Sequence, residues 1–180
     1  LAAGRLDQAS RMPDLVRAWR IVGSRRSEAR LWIVGDGSLR DQLYQQIGDL
    51  DQRFRVLIPG TFDCLQEVMQ AADLFLAPAP QVVPPLALLE ALAAGLPVLA
   101  ADSPALRGLA AAHADAMLFP PGDVQRLAAA ICDQFEHPAA GILRGSAIRQ
   151  QLHAAGTPAD EAAAYREVLS RAGAPHAGPP

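Results

Sequence analysis

The apolar residues of this chain fall into short runs separated by longer stretches in which they recur every three or four positions. Leu1-Ala2-Ala3, Leu31-Trp32-Ile33-Val34, Phe54 to Ile58, Leu74-Phe75-Leu76, Pro97-Val98-Leu99-Ala100 and Met117-Leu118-Phe119 are the short runs. Each is bounded by Gly, Pro or Asp, which predicts strands. Between them, Leu15, Val16, Ala18, Trp19 and Val22 keep helical spacing behind Pro13, a residue suited to the first turn of a helix. Ser38 is the expected N-cap of a second helix through Leu43 and Ile47. Leu65 to Ala72, Leu86 to Ala94 and Pro104 to Ala112 predict three more helices. Pro120-Pro121-Gly122-Asp123 caps another, through Leu127 and Ile131. Helical spacing resumes over Ile142 to Leu152 and Ala159 to Leu169, and Gly173 to Pro180 reads as a disordered Pro/Gly-rich tail.

About six strands alternating with helices predict an α/β fold, a doubly wound parallel sheet, with extra C-terminal helices outside the repeating pattern. Length agrees, since 180 residues fit one domain or half of a two-domain protein. The boundaries expected are 1–172 for the domain and 173–180 for the tail. The chain opens at Leu1 in strand-like sequence and reads as a piece of something longer.

Composition narrows the chemistry. The hydrophobic fraction is 51%, but aromatics are only 5%, so the core is expected to be Leu, Val, Ile and Ala. Net charge is −3 and no basic patch is interleaved with aromatics, which gives a nucleic-acid partner no support. The 16 strongly basic residues are all arginine. Cys64 and Cys132 lie far apart without ligand spacing and read as buried or half-buried free thiols. The four histidines are scattered, and no metal is implied. The longest uncharged run, Leu74 to Leu89, carries Pro78, Pro80, Pro84 and Pro85 and cannot be a spanning helix.

One stretch concentrates the interest. From Asp73 to Asp102, Glu90 is the only charged side chain between the two aspartates. A carboxylate left unpaired in apolar packing costs several kcal/mol, so Glu90 must reach solvent, meet an arginine, or line a cleft. The order strand, proline-rich loop, helix, strand is one that gathers ligands at the carboxyl ends of parallel strands. Arg5 follows the first strand at such an end, where its planar fork suits a phosphate, although a surface ion pair accounts for it as well. Gly35-Asp36-Gly37 invites a dinucleotide reading, but Arg40 stands where the third glycine belongs, and a tight strand-to-helix turn explains the pair equally.

Taken in order, Gly4-Arg5-Leu6, Leu31 to Gly37 with Leu39 and Leu43, Ala72 to Pro78, Glu90 to Val98 and Leu118 to Asp123 resemble the C-terminal, nucleotide-sugar-binding domain of retaining GT-B glycosyltransferases of group 1 (family 4). The resemblance covers roughly Leu1 to Phe135 and implies a Rossmann-like half of a GT-B fold. It implies that Arg5, with Arg11 and the helix start at Leu86, holds the donor diphosphate. It further implies that Glu90 binds the ribose and that Gly60, Thr61 and Phe62 lie beside the nucleobase. The donor would be a nucleoside-diphosphate sugar, with no metal or other cofactor. A missing N-terminal domain would hold the acceptor and make any membrane contact, in a cytoplasmic protein at the inner membrane face. The last helices would be the family's terminal ones, which often cross back to that domain.

The site departs from the family pattern. Ser10 stands where a lysine is usual, with Arg11 adjacent. The first of the paired glutamates, which holds the donor sugar, falls on Val82. The glycine-rich turn after it is Val83-Pro84-Pro85, and Pro104-Ala105 and Gly108 replace a Gly-Gly and a Glu. Each proline removes an N–H donor from an anion cradle. A degenerate site leaves two readings: a glycosyltransferase domain, or a non-catalytic GT-B-like domain that assembles with an active transferase.

Overall fold

The computed structural model describes residues 1–80, 82, 85–110 and 117–154. The expected tail, the helix over Ala159 to Leu169, and Val83 and Pro84 lie outside the described residues.

Among the described residues six parallel strands form two three-stranded sheets, β1 (Ala2–Ala3), β2 (Leu31–Val34) and β3 (Val56–Gly60) in one, β4 (Phe75–Ala77), β5 (Val98–Ala101) and β6 (Leu118–Phe119) in the other. Leu1 joins them, its nitrogen donating to the Leu74 carbonyl at 2.9 Å and its carbonyl accepting from the Leu76 N–H at 2.8 Å. The strand order is therefore β3-β2-β1-β4-β5-β6, the doubly wound order, with its switch point between β1 and β4.

Alternation within the strands explains why both faces are covered. Leu74, Leu76, Leu99 and Ala101 join the core that contains α1 (Met12–Arg25) and α2 (Arg40–Asp49). Phe75, Ala77, Val98 and Ala100 face the other core, built with α3 (Leu65–Gln70), α4 (Leu86–Ala93) and α5 (Pro104–Ala110). Helix α6 (Val124–Glu136) packs along α1, and α7 (Pro138–Ala154) against α4. Central strands buried on both sides read as unbroken apolar runs, which is why they are visible in the sequence.

Three local expectations are corrected. Helix α2 begins at Arg40 with no side-chain cap; the Leu39 N–H goes to the Leu6 carbonyl and the Asp36 carboxylate takes the Gly37 N–H, so Ser38 is not the N-cap. The third strand starts at Val56, because Arg55 and Val56 both turn back onto the Gln52 carbonyl, and Phe54 is left 87% exposed. Cys132 is buried as expected, but Cys64, just before α3, is exposed.

The cap of α6 is as predicted. The Asp123 side chain accepts from the Arg126 N–H at 2.9 Å. Asp123→Ala is expected to cost about 1 kcal/mol, read as a fall of roughly 2–4 °C in the thermal midpoint for a chain of this size.

Candidate functional site

At the carboxyl ends of β1 and β4 the chain leaves the sheet in opposite directions, opening the crevice where this fold takes ligands. The β1 exit is rigid for reasons of backbone alone. The Gly4 N–H donates to the Val34 carbonyl and the Leu6 N–H to the Asp36 carbonyl, while Leu6 accepts from Leu39, all within 3.0 Å. The two loops run so close that a Cβ on Gly35 would lie 1.9 Å from the Gly4 carbonyl oxygen, and one on Gly37 2.4 Å from that of Leu6. Loop-to-loop packing thus explains the glycine pair without a ligand.

Arg5 sits between the two pinned residues with its side chain 88% exposed, and among the described residues its only ion pair is with Asp7 at 3.5 Å. The backbone under it is fixed and the guanidinium is open to solvent. Arg11 is placed differently. It adopts a left-handed conformation at φ 54° before α1, and its Nε donates to Asp14 at 2.8 Å. Its guanidinium lies against Gly122, and Asp14, itself buried, also binds Arg17. Arg11 therefore ties the start of α1 to the loop after β6, and would reach a diphosphate only by leaving Asp14.

Beyond β4, Pro85 occupies the N-cap of α4 with φ −68° and extended ψ. That position lies outside the helix, so the missing proline N–H is not one of the helix's own donors. Its carbonyl accepts from Leu88 at 3.0 Å and Leu89 at 3.2 Å. No side chain caps the helix, which leaves the amides of Leu86 and Ala87 directed out of the helix end. Pro85 therefore offers neither a capping side chain nor a backbone N–H, while the donors of Leu86 and Ala87 remain. Val82 is 94% exposed, an apolar side chain standing in water.

Glu90 lies one turn beyond Leu86, so the two share a helix face. Both are exposed, while Leu88, Ala91 and Leu92 carry the buried face. Among the described residues the Glu90 carboxylate has no ion-pair or hydrogen-bond partner. Of the three outcomes open to it in sequence, it reaches solvent, on the same stripe as the uncapped helix start.

Gly60 ends β3 at φ 94° and its carbonyl accepts from the Gly35 N–H at 2.8 Å. Thr61 is exposed. The Phe62 ring turns away to stack on Trp32, centroids 6.2 Å apart and planes inclined by 15°. Arg40 is a neighbour that sequence reasoning passed over, although it was visible as the misfit in the glycine fingerprint. Its guanidinium lies about 4.0 Å from where a Gly60 Cβ would be, pairs with Asp36 at 3.4 Å and covers the Tyr44 ring at 5.9 Å. Tyr44 and then Asp36 favour its charged form, raising an already high pKa. Among the described residues no group of three or more His, Cys, Asp or Glu could hold a metal ion, and no helix is long and apolar enough to cross a membrane.

The family model for glycosyl transferases group 1 matches residues 1–137. The chain belongs to that family. As a group 1 glycosyltransferase domain it is 31% identical over 138 residues to the amylovoran biosynthesis glycosyltransferase AmsK of Erwinia amylovora, covering 72% of this chain and 34% of AmsK. It thus spans about a third of that relative. Among solved structures, Anabaena Alr3699/HepE in complex with UDP and glucose superposes with a TM-score of 0.81 at 23% identity, over 94% of this chain and 48% of that one. Sucrose-phosphate synthase from Thermosynechococcus elongatus gives 0.81 at 23% identity, over 94% and 45%. Both similarities are of fold. The group 1 domain described here is the Rossmann-like, C-terminal kind of GT-B domain.

Proposed function

We propose that this domain binds a nucleoside-diphosphate sugar in the crevice between the β1 and β4 exits, and serves within a longer cytoplasmic protein to transfer a hexosyl group, with retention, to an acceptor held by a preceding domain. The observation that carries this reading is the pairing of an open guanidinium, Arg5, on a backbone-pinned loop with the uncapped start of α4 and Glu90 one turn on. Helix N-termini attract phosphate through their free N–H groups and dipole. Arginine adds a bidentate, charge-assisted contact. Glu90, without a competing cation, is free to accept hydrogen bonds from two ribose hydroxyls.

Chemistry in such a site rests on placing the donor and stabilising the departing diphosphate, which falls to Arg5 and the amides of Leu86 and Ala87. Arg11 contributes less, being held by Asp14. Val82 offers the donor sugar no polar contact, so affinity comes from the nucleotide half. The relatives give no support to the alternative of a non-catalytic assembly domain.

Titration of UDP, GDP and their hexose conjugates into the full-length protein is expected to give saturable binding for one base, with nucleotide and nucleotide sugar held about equally. Val82→Glu restores an acceptor for the sugar hydroxyls and is expected to favour the sugar conjugate over the free nucleotide by roughly tenfold, the worth of one charged hydrogen bond. No saturable binding to any member of the panel would overturn the donor-site reading.

A further inference from the structure

The sheet is covered unevenly. On one face, Leu31 and Ile33 of β2 and Val56 and Ile58 of β3 lie in the core beneath α1 and α2, which run 14 and 10 residues. On the other face the chain passes from β3 to β4 through α3, which has 6 residues. Side chains alternate along a strand, so Trp32 shares this second face with Val34, and Leu57 turns onto it from between Val56 and Ile58. Val34 is buried there, but Trp32 and Leu57 are 39% and 45% exposed. The two are partners in register, and the Phe62 ring, itself 42% exposed, lies against Trp32. Parallel sheets are ordinarily covered on both faces, so three large apolar side chains in one bare place mark a contact surface.

The charges at its two ends say what it contacts. Arg30 stands just before β2, at the amino end of the patch, and is exposed. Among the described residues it has no acidic partner, and its guanidinium donates to the carbonyls of Ser27 and Ala29. Gly60 pairs with Val34, so the chain comes to Phe62 from the carboxyl end, and Asp63 follows there, exposed. Among the described residues the Asp63 carboxylate has no ion pair. We propose that this patch joins two copies of the protein about a two-fold axis through the Trp32 and Phe62 rings. Rotation about that axis lays the rings and Leu57 of one copy on those of the other. It also sets Arg30 of each copy against Asp63 of the other, which makes the patch its own complement and uses the ion pair twice. An apolar centre with a charged rim is the ordinary anatomy of such an interface. The inference stands whether or not the donor site binds nucleotide.

Sedimentation equilibrium of the full-length protein at micromolar concentration is expected to give twice the mass of one chain. Leu57→Arg puts a charge in the middle of the contact and is expected to raise the dimer dissociation constant at least a hundredfold. Arg30→Asp and Asp63→Arg each set like charges together at two places, and each is expected to raise the constant about tenfold. Combined in one chain they oppose unlike charges again, and the constant is expected to return to within about threefold of wild type. A monomer at that concentration assigns the patch to a different partner and overturns the proposal. So does a dimer that Leu57→Arg leaves intact. Should Leu57→Arg fail to fold, the charge exchange decides: if the single changes have no effect, or the pair does not restore the dimer, the two-fold contact is overturned.

Discussion

Arg5→Ala and Glu90→Ala are each expected to weaken binding of the matching nucleoside diphosphate to the full-length protein at least tenfold. A hydrogen bond to a charged group contributes about 1.5–3 kcal/mol net, and about 1.4 kcal/mol is a factor of ten. The two losses are expected to differ in kind. In the proposed site Arg5 contacts the phosphates, so its removal is expected to penalise the diphosphate and leave binding of the bare nucleoside unchanged. In the proposed site Glu90 contacts the sugar hydroxyls, so its removal is expected to weaken nucleoside and nucleotide alike. Glu90→Gln keeps one acceptor and falls between wild type and alanine. Both side chains are exposed and neither contributes to the core, so the thermal midpoint should stay within about 2 °C, since surface changes are usually within 0.5 kcal/mol. Calorimetric titration that gives the wild-type Kd for both variants would remove the assignment.

Gly35→Ala has the largest expected effect on stability. The added methyl would lie 1.9 Å from the Gly4 carbonyl oxygen, and the residue holds φ at 143°, where side chains are strained. Neither loop can withdraw cheaply, because Gly4, Leu6 and Gly35 are tied to the opposing strands and turns through their backbones. Overpacking against backbone costs about 1–3 kcal/mol, and the unfavourable φ adds about 1–3 kcal/mol. A loss of at least ~3 kcal/mol is expected, seen as a fall of roughly 6–12 °C in thermal midpoint. Gly108→Ala is the control. It lies in α5 with nothing within 4 Å of the new methyl, and should leave the midpoint unchanged or raise it. Equal midpoints for Gly35→Ala and wild type would show that the two loops are not locked as described. Because Arg5 rides on the same backbone, a surviving Gly35→Ala protein is also expected to bind nucleotide more weakly.

What the sequence made legible was what depends on neighbours along the chain. Strands β4 and β5 are buried on both faces, so their sequences are apolar without interruption. Helix α1 shows its periodicity over 14 residues, and Asp123 caps α6 through a contact three residues away. What escaped depends on partners distant in sequence. Ser38 looks like a cap until Asp36 and the Leu6 carbonyl take up the donors it would have served. Arg11 resembles a free phosphate ligand until Asp14 and Gly122 are seen around it. Phe62 reads as a loop aromatic available to a base, yet its ring is spent on Trp32 across 30 positions of sequence. Arg40 was visible only as a misfit, because its proximity to Gly60 arises from two strands lying side by side. Glu90 was legible by exception: a single charge in an apolar stretch has few places to go.

The contact between α7 and the end of α4 has a mechanical meaning. Gly145 lies so close to the Gly95 carbonyl oxygen that a Cβ would come within 2.4 Å of it, while Ile148 is fully buried and Arg149 packs over Gly95. Where backbone rests on backbone there is no pliant side chain to absorb a shift. Helices α4 and α7 are therefore held backbone against backbone at Gly95 and Gly145. A shift of α7 is therefore expected to carry α4, with Leu86 and Glu90, without passing through the sheet.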